Sequence, residues 1–272
     1  MKIAITGGTG FIGNHIINHF LDCKYELLVT GTNIEKAKSF KWFNNVEFIE
    51  LDINCIKSDL TLQKIASCEK LIHLAWSGLP NYKDLFHFEE NLMSQYLFIK
   101  KILQLGLKDI TITGTCFEYG MKNGCLKPNM QTEPQNSYAL AKDTLRKFLE
   151  ILKTKEDFNL KWVRLFYMYG EGQSKHSILS QLDQALENGD TTFNMSEGQQ
   201  LRDYLPVEEV AKKIISIALL SNISNIFNCS SGIPISIRNL VENHLKVKEK
   251  EIALNLGYYP YSDLEPFAFW GD

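Results

Sequence analysis

The chain has 272 residues, 44% of them hydrophobic and 22% charged, and a formal net charge of −3. That is enough apolar material for one α/β domain with a smaller appendage. The weak negative charge carries no basic block, which argues against a nucleic-acid partner, and no apolar run approaches the ~20 residues of a membrane span.

Lys2-Ile3-Ala4-Ile5 is a short run that reads as a buried parallel strand. It leads into Thr6-Gly7-Gly8-Thr9-Gly10-Phe11-Ile12-Gly13, after which Ile12, Ile16, Ile17, Phe20 and Leu21 recur at helical spacing. The glycines therefore stand where a strand turns into a helix. Gly7 suits a tight turn, Gly10 leaves the backbone N–H groups open to a pyrophosphate, and Gly13 permits close helix–strand packing. The helix start adds partial positive charge for the phosphates. The spacing reads either as Gly8, Gly10, Gly13 or as Gly7, Gly10, Gly13, and both are dinucleotide-binding patterns. Gly7, Gly10, Phe11 and Ile12 are the cofactor contacts expected from this loop.

Residues 25–30 form the second predicted strand. It ends in Gly31-Thr32-Asn33, where an NAD-selective fold places Asp or Glu on the ribose hydroxyls. Without that carboxylate a 2′-phosphate meets no repulsion. Thr32 and Asn33 can hydrogen-bond it, and Lys36 either pairs with it or is a solvated surface charge. The reading favours NADP(H) and leaves NAD(H) open. Strands follow at 46–51, ending before Asp52-Ile53, and at 70–75, through Leu74-Ala75 to Trp76-Ser77-Gly78. The second of these ends at the carboxyl edge, where open α/β sheets bind ligands, so Leu74 and Ala75 join the cofactor contacts. His73, inside that strand, reads as a packed core histidine. A long helix at 86–105, with Leu92, Tyr96, Ile99 and Leu103 on one face, stops at Gly106. Residues 109–113 are a fifth strand. Strict alternation of strand and helix implies a doubly wound parallel sheet of Rossmann type, covered on both faces.

The fifth strand runs into Gly114-Thr115-Cys116-Phe117-Glu118-Tyr119-Gly120. Asn136-Ser137-Tyr138-Ala139-Leu140-Ala141-Lys142 then opens a helix. Tyr138 and Lys142, four apart, share one helix face. A free phenol titrates near 10. A nearby ammonium and a positively charged cofactor ring favour the phenolate, so Tyr138 becomes a proton donor and acceptor near neutral pH. Thr115 can bond the same substrate oxygen.

The motifs TGGTGFIG, GTCFEYG, YALAK, Arg164-Leu165-Phe166-Tyr167-Met168-Tyr169-Gly170 and Arg202-Asp203-Tyr204-Leu205-Pro206-Val207 span nearly the whole chain. In this order they resemble the extended short-chain dehydrogenase/reductases, or NAD-dependent epimerase/dehydratase family, that act on nucleotide-diphosphate sugars. The resemblance implies a catalytic triad of Thr115, Tyr138 and Lys142, with Lys142 also on the nicotinamide ribose. It places Asp52 and Ile53 beside the adenine and Arg202 near the substrate pyrophosphate, with Lys175 and Asn194 more loosely in that site. Trp76, Cys116, Phe117 and Tyr167 would line the sugar site. Trp76 and Leu79 make either an apolar wall suited to a 6-deoxy methyl group or ordinary loop packing. Two departures matter. The 4,6-dehydratases carry Asp-Glu after the catalytic Thr, and Cys116 and Phe117 stand there instead, which disfavours dehydration. Cys116 itself reads as packed. Tyr167 stands where many relatives have Asn.

The resemblance extends to the dTDP-4-dehydro-6-deoxyglucose reductases. It implies NAD(P)H-dependent reduction of the C4 keto group of a nucleotide-diphosphate 4-keto-6-deoxyhexose, dTDP-linked, for deoxysugar and surface-polysaccharide synthesis. A 4-epimerase with bound NAD is the alternative, and a dinucleotide sensor without chemistry the third reading. Residues 1–170, rejoined by 203–228, are expected to form the dinucleotide-binding domain. Residues 171–202 and 229–272 are expected to form a small substrate domain, with a helix at 178–187, a strand near Thr192, and a helix at 207–220 returning to the main sheet. The aromatic tail at 252–272 either folds over the nucleotide base or makes the small domain's own core. The family also implies a homodimer through the helices at 86–105 and 138–152. Six cysteines without paired spacing read as reduced thiols, and the histidines lack ligand spacing, so no metal is expected. The first strand at Lys2 leaves no room for a signal peptide, so the expected location is the cytoplasm.

Overall fold

The structure, a computed structural model, describes residues 1–263 and 265–272. Its first half is a run of βα units: β1 (Lys2–Thr6), α1 (Phe11–Asp22), β2 (Glu26–Gly31), α2 (Ile34–Lys38), β3 (Glu47–Glu50), α3 (Asp59–Ala66), β4 (Lys70–His73), α4 (Leu92–Gln104), β5 (Asp109–Thr115), β6 (Gly124–Leu126) and α5 (Ser137–Leu152). The second half holds β7 (Asn159–Leu165), β8 (Tyr167–Tyr169), α6 (Ile178–Asn188), β9 (Thr192–Asn194), β10 (Leu201–Pro206), α7 (Val207–Leu219) and β11 (Asn225–Cys229). It closes with β12 (Pro234–Ser236), α8 (Ile237–Lys248), β13 (Ala253–Asn255) and β14 (Phe269–Gly271).

Seven parallel strands make the main sheet in the order β11-β7-β5-β4-β1-β2-β3. The order reverses between β1 and β4, and a ligand crevice opens at such a switch point. Alternate residues of each strand serve opposite faces. Ala4, Leu28, Leu71, Ile110, Ile112 and Trp162 pack under α3, α4 and α5. Ile3, Ile5, Leu27, Val29, Ile72 and Val163 pack under α1 and α7. Burying both faces explains why the strands read as continuous apolar runs.

At the amino-terminal edge of the sheet Asp109 takes two ammonium groups, Lys70 and Lys161, each at 2.6 Å. Lys161 also donates to the carbonyl of Ala218 at the end of α7. This buried cluster ties three strands and a helix end together, remote from the crevice.

A three-stranded sheet, β12-β10-β8, and the pairs β13-β9 and β14-β6 build the smaller part. Its core is Leu182, Ala185, Phe193 and Met195 against Ile237, Val241 and Leu245 of α6 and α8. The division differs from the expected one. β8 comes from before residue 170, and β10 pairs with β8 and β12, so α7 and β11, rather than all of 203–228, return to the main sheet. The long helix also differs. His87–Asn91 wind as a π-helical turn before α4, because the Asn91 side chain is turned inward to accept the Ser77 hydroxyl at 2.7 Å and to donate to the Ser77 carbonyl. In the tail Phe269 is buried beside Phe166 and Tyr167, while Tyr258, Tyr259, Tyr261 and Phe267 are exposed.

Candidate active site

The glycine loop forms the floor of a groove at the switch point. Gly7 sits at φ +76°, and a Cβ there would lie 2.9 Å from the Ala75 nitrogen; one on Gly13 would lie 2.5 Å from the Gly7 carbonyl. Both glycines are needed for close approach. α1 starts at Gly10 without a side-chain cap, so its first N–H groups are left for a ligand or solvent. Gly7, Gly10, Thr32, Asp52, Ile53, Leu74, Ala75 and Trp76 line this groove together, with Lys36, Asn54 and Gln95. An uncapped helix start over a side-chain-free turn fits a dinucleotide pyrophosphate.

Asn33 is not in that lining. Its Oδ1 accepts the Lys36 N–H at 2.8 Å and caps α2. The Glu50 carboxylate, beside Gly31 in the strand register, accepts the Ile34 N–H at 2.9 Å. Two backbone N–H groups at this strand end are thus taken by the chain's own oxygens, one of them anionic. The expected preference for NADP(H) has no support in this geometry.

Phe11 and Ile12 face a second cavity, with Leu79, Tyr82, Thr115, Cys116, Phe117, Tyr138 and Tyr167. Tyr82 and Tyr167 also line a third, with Gln200, Arg202, Tyr204 and Glu265, so the two adjoin. β5 delivers Thr115 at its carboxyl end, and α5, capped by Asn136 on the Ala139 N–H, presents Tyr138 and Lys142 from its first two turns. The Tyr138 N–H is anchored on the Tyr82 carbonyl at 3.0 Å. Its ring meets those of Tyr82, His87 and Trp76.

The charge state of this pair differs from expectation. Burial pushes the Tyr138 phenol up, and Tyr82, Glu118 and Cys116 push the same way. Lys142 does not pull it down. Its Nζ donates to the Thr113 carbonyl at 2.9 Å and lies 4.2 Å from the Trp76 ring centre. Burial, resisted by Glu118, brings this ammonium down to about 7. Trp76 is therefore the seat of the lysine. Its indole N–H donates to His87 Nδ1 at 3.1 Å, and it lines the glycine-loop groove, whereas Leu79 lines the cavity of Thr115 and Tyr138. Burial also pushes the Cys116 thiol up. His73 is fully buried between the Thr6 hydroxyl and Gln95 Oε1, both at 2.7 Å, and burial brings it down to about 3.

Arg202 lines the third cavity, but its donors are engaged. Nε and Nη2 bond one oxygen of Glu265 at 3.1 and 2.9 Å, and Nη1 bonds the Leu201 and Phe267 carbonyls. Its guanidinium lies 4.7 Å from the Phe269 ring centre. Lys175 is outside this lining. Asn194 lies in a separate groove with Tyr259 and accepts from Asn255 at 2.8 Å. Tyr82, Gln200 and Glu265 were not found from the sequence. Tyr82 sits in a loop without periodicity, and Glu265 meets Arg202 across 63 positions.

The six cysteines are free thiols. Among the described residues no three His, Cys, Asp or Glu are grouped to hold a metal ion, and no helix is long and apolar enough to cross a membrane.

Comparison with known proteins agrees with this layout. The chain is 28% identical over 272 residues to a dTDP-6-deoxy-L-talose 4-dehydrogenase (NAD(+)) of Aggregatibacter actinomycetemcomitans, covering 100% of this chain and 99% of that one. It is 23% identical to a dTDP-4-dehydro-6-deoxyglucose reductase of Escherichia coli, covering 92% and 83%. The UDP-glucuronic acid 4-epimerase of Bacillus cereus, solved with UDP-glucuronic acid and NAD, superposes with a TM-score of 0.85 over 100% of this chain and 90% of that one, at 20% identity. The model of the NAD dependent epimerase/dehydratase family matches residues 3–230, and the chain belongs to that family.

Proposed function

We propose that this enzyme interconverts a keto and a hydroxyl group at C4 of a nucleotide-diphosphate 6-deoxyhexose, dTDP-linked, with NAD(H) as cofactor. The observation that carries the reading is the cavity holding Thr115 and Tyr138. Phe11, Ile12, Leu79, Phe117, Leu165 and Met168 give it apolar walls, and Tyr82 and Tyr167 add phenol groups. The apolar stretch suits a methyl at C6, which needs no hydrogen-bond partner. The name of the Aggregatibacter relative, matched end to end, points the same way.

NAD(H), when bound in the groove, supplies or accepts the hydride at C4. Tyr138 carries the proton at O4, giving it in reduction and taking it in oxidation. Thr115 donates a hydrogen bond to the same oxygen. Lys142, brought to about 7 by burial, regains its charge when anionic ligands enter beside it and then eases proton loss from Tyr138. The aromatic walls exclude water from the reacting centre. We also propose a homodimer through α4 and α5, whose outer faces expose Met93, Leu97, Leu140, Phe148 and Ile151.

The test is oxidation of NADH by the purified protein with a dTDP-4-keto-6-deoxyhexose, run beside NADPH. Stoichiometric loss of absorbance supports the reading, and Tyr138→Phe should abolish it while NADH still binds. A second reading, 4-epimerisation, is favoured by the fold shared with the Bacillus cereus epimerase. It predicts NAD+ released on denaturation and turnover of UDP-hexoses without net oxidation.

A further inference from the structure

Behind Thr115 lies a buried ion pair that the chemistry above does not use. Glu118 has no exposed surface, and the Arg164 side chain is 1% exposed. Glu118 Oε1 accepts the backbone N–H of Thr115 at 2.9 Å and the indole N–H of Trp162 at 3.0 Å. Its Oε2 accepts Arg164 Nε at 2.7 Å. Arg164 is held in turn by the Pro128 carbonyl at 3.0 Å and by the Tyr119 ring, 4.4 Å from its guanidinium. A methyl group on Gly114 would collide with both Trp162 and Glu118, so the strand leaves room for this contact immediately before the catalytic residue.

The local geometry is a reciprocal cap. While Glu118 takes the Thr115 N–H, Thr115 Oγ1 accepts the Phe117 N–H at 3.3 Å. With one lone pair engaged, Thr115 keeps its hydroxyl proton and a second lone pair for the cavity. A buried carboxylate–guanidinium pair adds little net stability compared with apolar side chains of the same volume. What it adds here is a fixed backbone at one residue.

We propose that Glu118, clamped by Arg164 and Trp162, is a positioning residue for Thr115: it fixes the strand end so that the threonine hydroxyl is presented as a donor to the substrate C4 oxygen. The inference rests on the C4 chemistry proposed above but needs neither a particular sugar nor a particular direction of reaction.

The test is a double-mutant cycle. Thr115→Val removes the donor and should lower kcat on the order of 10²-fold. Glu118→Ala combined with Arg164→Met removes the clamp without burying an unpaired charge. It should lower kcat by about tenfold or more, leave the cofactor KM near the parent value, and cost less than about twofold more in the Thr115→Val background. A merely structural role gives losses that multiply, and that result overturns the proposal. Should this variant fail to fold, Trp162→Phe, which keeps both charges and deletes the indole donor shared by the two Glu118 oxygens, is carried through the same cycle, with several-fold loss expected only when Thr115 is present. The cycle is read on whichever C4 activity the parent shows, reductive or epimerising. A crystal structure of the clamp variant or of Trp162→Phe gives a readout independent of substrate. Thr115 turned away from the Phe117 N–H supports the proposal, and Thr115 unmoved overturns it, whatever the fate of the functional reading.

Discussion

Lys142→Met should make the protein more stable while removing its activity. The Lys142 ammonium is 2% exposed, ordinarily titrates at 10.5, and burial brings it to about 7 in the folded chain. A cation whose folded value is depressed opposes folding wherever the unfolded chain is charged, because the folded chain either gives up the proton or holds it desolvated. The penalty is absent above 10.5, grows as pH falls from 10.5 to about 7, and stays constant below. At ~1.36 kcal/mol per pKa unit, its upper bound at pH 7 is about 4 kcal/mol. The substitution also forfeits the bond to the Thr113 carbonyl and the contact with Trp76, together worth about 2–3 kcal/mol. The expected net gain is about 1–2 kcal/mol at pH 7, or roughly 2–6 °C in Tm for a chain of this size. Urea unfolding of both proteins at pH 6.5, 8 and 9.5 would measure it. The gap should be widest at pH 6.5 and close towards 10.5. A Lys142→Met protein less stable at neutral pH, or a gap that does not narrow as pH rises, would refute the assignment of Lys142 as a strained, desolvated cation.

At the opposite edge of the sheet, Asp109→Asn leaves Lys70 and Lys161 without their shared carboxylate. It should cost about 3–5 kcal/mol by urea unfolding with kcat at 25 °C unchanged, because the cluster is remote from the cavity. Glu50→Gln removes the anion at the Ile34 N–H. NADPH affinity, followed by nucleotide fluorescence, should rise by roughly threefold to tenfold at low salt and less at high salt, with NADH little affected; equal gains for both would locate Glu50 away from the 2′ position. Leu97→Glu with Ile151→Glu should yield monomers by sedimentation, and an unchanged association state would remove α4 and α5 from the dimer.

The main sheet was legible because its evidence is local. β1 and β2 announce themselves as short apolar runs, the helix between them by 3.6-residue spacing, and the groove by glycines that the turn itself demands. Tyr138 and Lys142 were legible for the same reason, since four residues on one helix fix their common face. α8 was missed although Ile237, Leu240, Val241 and Leu245 carry the spacing and Ser236 caps the Asn239 N–H. Its polar face, rich in Asn, Glu and Lys, diluted the apolar signal. β6, β8 and β12 are three residues each, too short to show a period of two, and only their partners make them strands.

What sequence spacing could not show is how a side chain spends its bonding capacity. Arg202 was expected to meet a pyrophosphate, and a free arginine in a polar motif is a sound candidate for that task. In the folded chain four of its bonds go to Glu265, Leu201 and Phe267, which pins the carboxyl-terminal segment to β10 and brings a carboxylate to the wall of the cavity lined by Tyr82 and Tyr204. The same holds for Lys142, expected to act on Tyr138 and found on the Thr113 carbonyl over Trp76. Both cations are buried, and a buried donor must be satisfied by whatever oxygen or ring the fold brings near. Thr113 and Trp76 lie 29 and 66 positions from Lys142, and Glu265 and Phe267 lie 63 and 65 from Arg202. A ligand that recruits either cation must therefore offer more than a bare charge: it has to replace a set of bonds already made. The phosphates and ribose of a dinucleotide beside Lys142, and a diphosphate beside Arg202, present several oxygens at once and are chemically suited to that exchange.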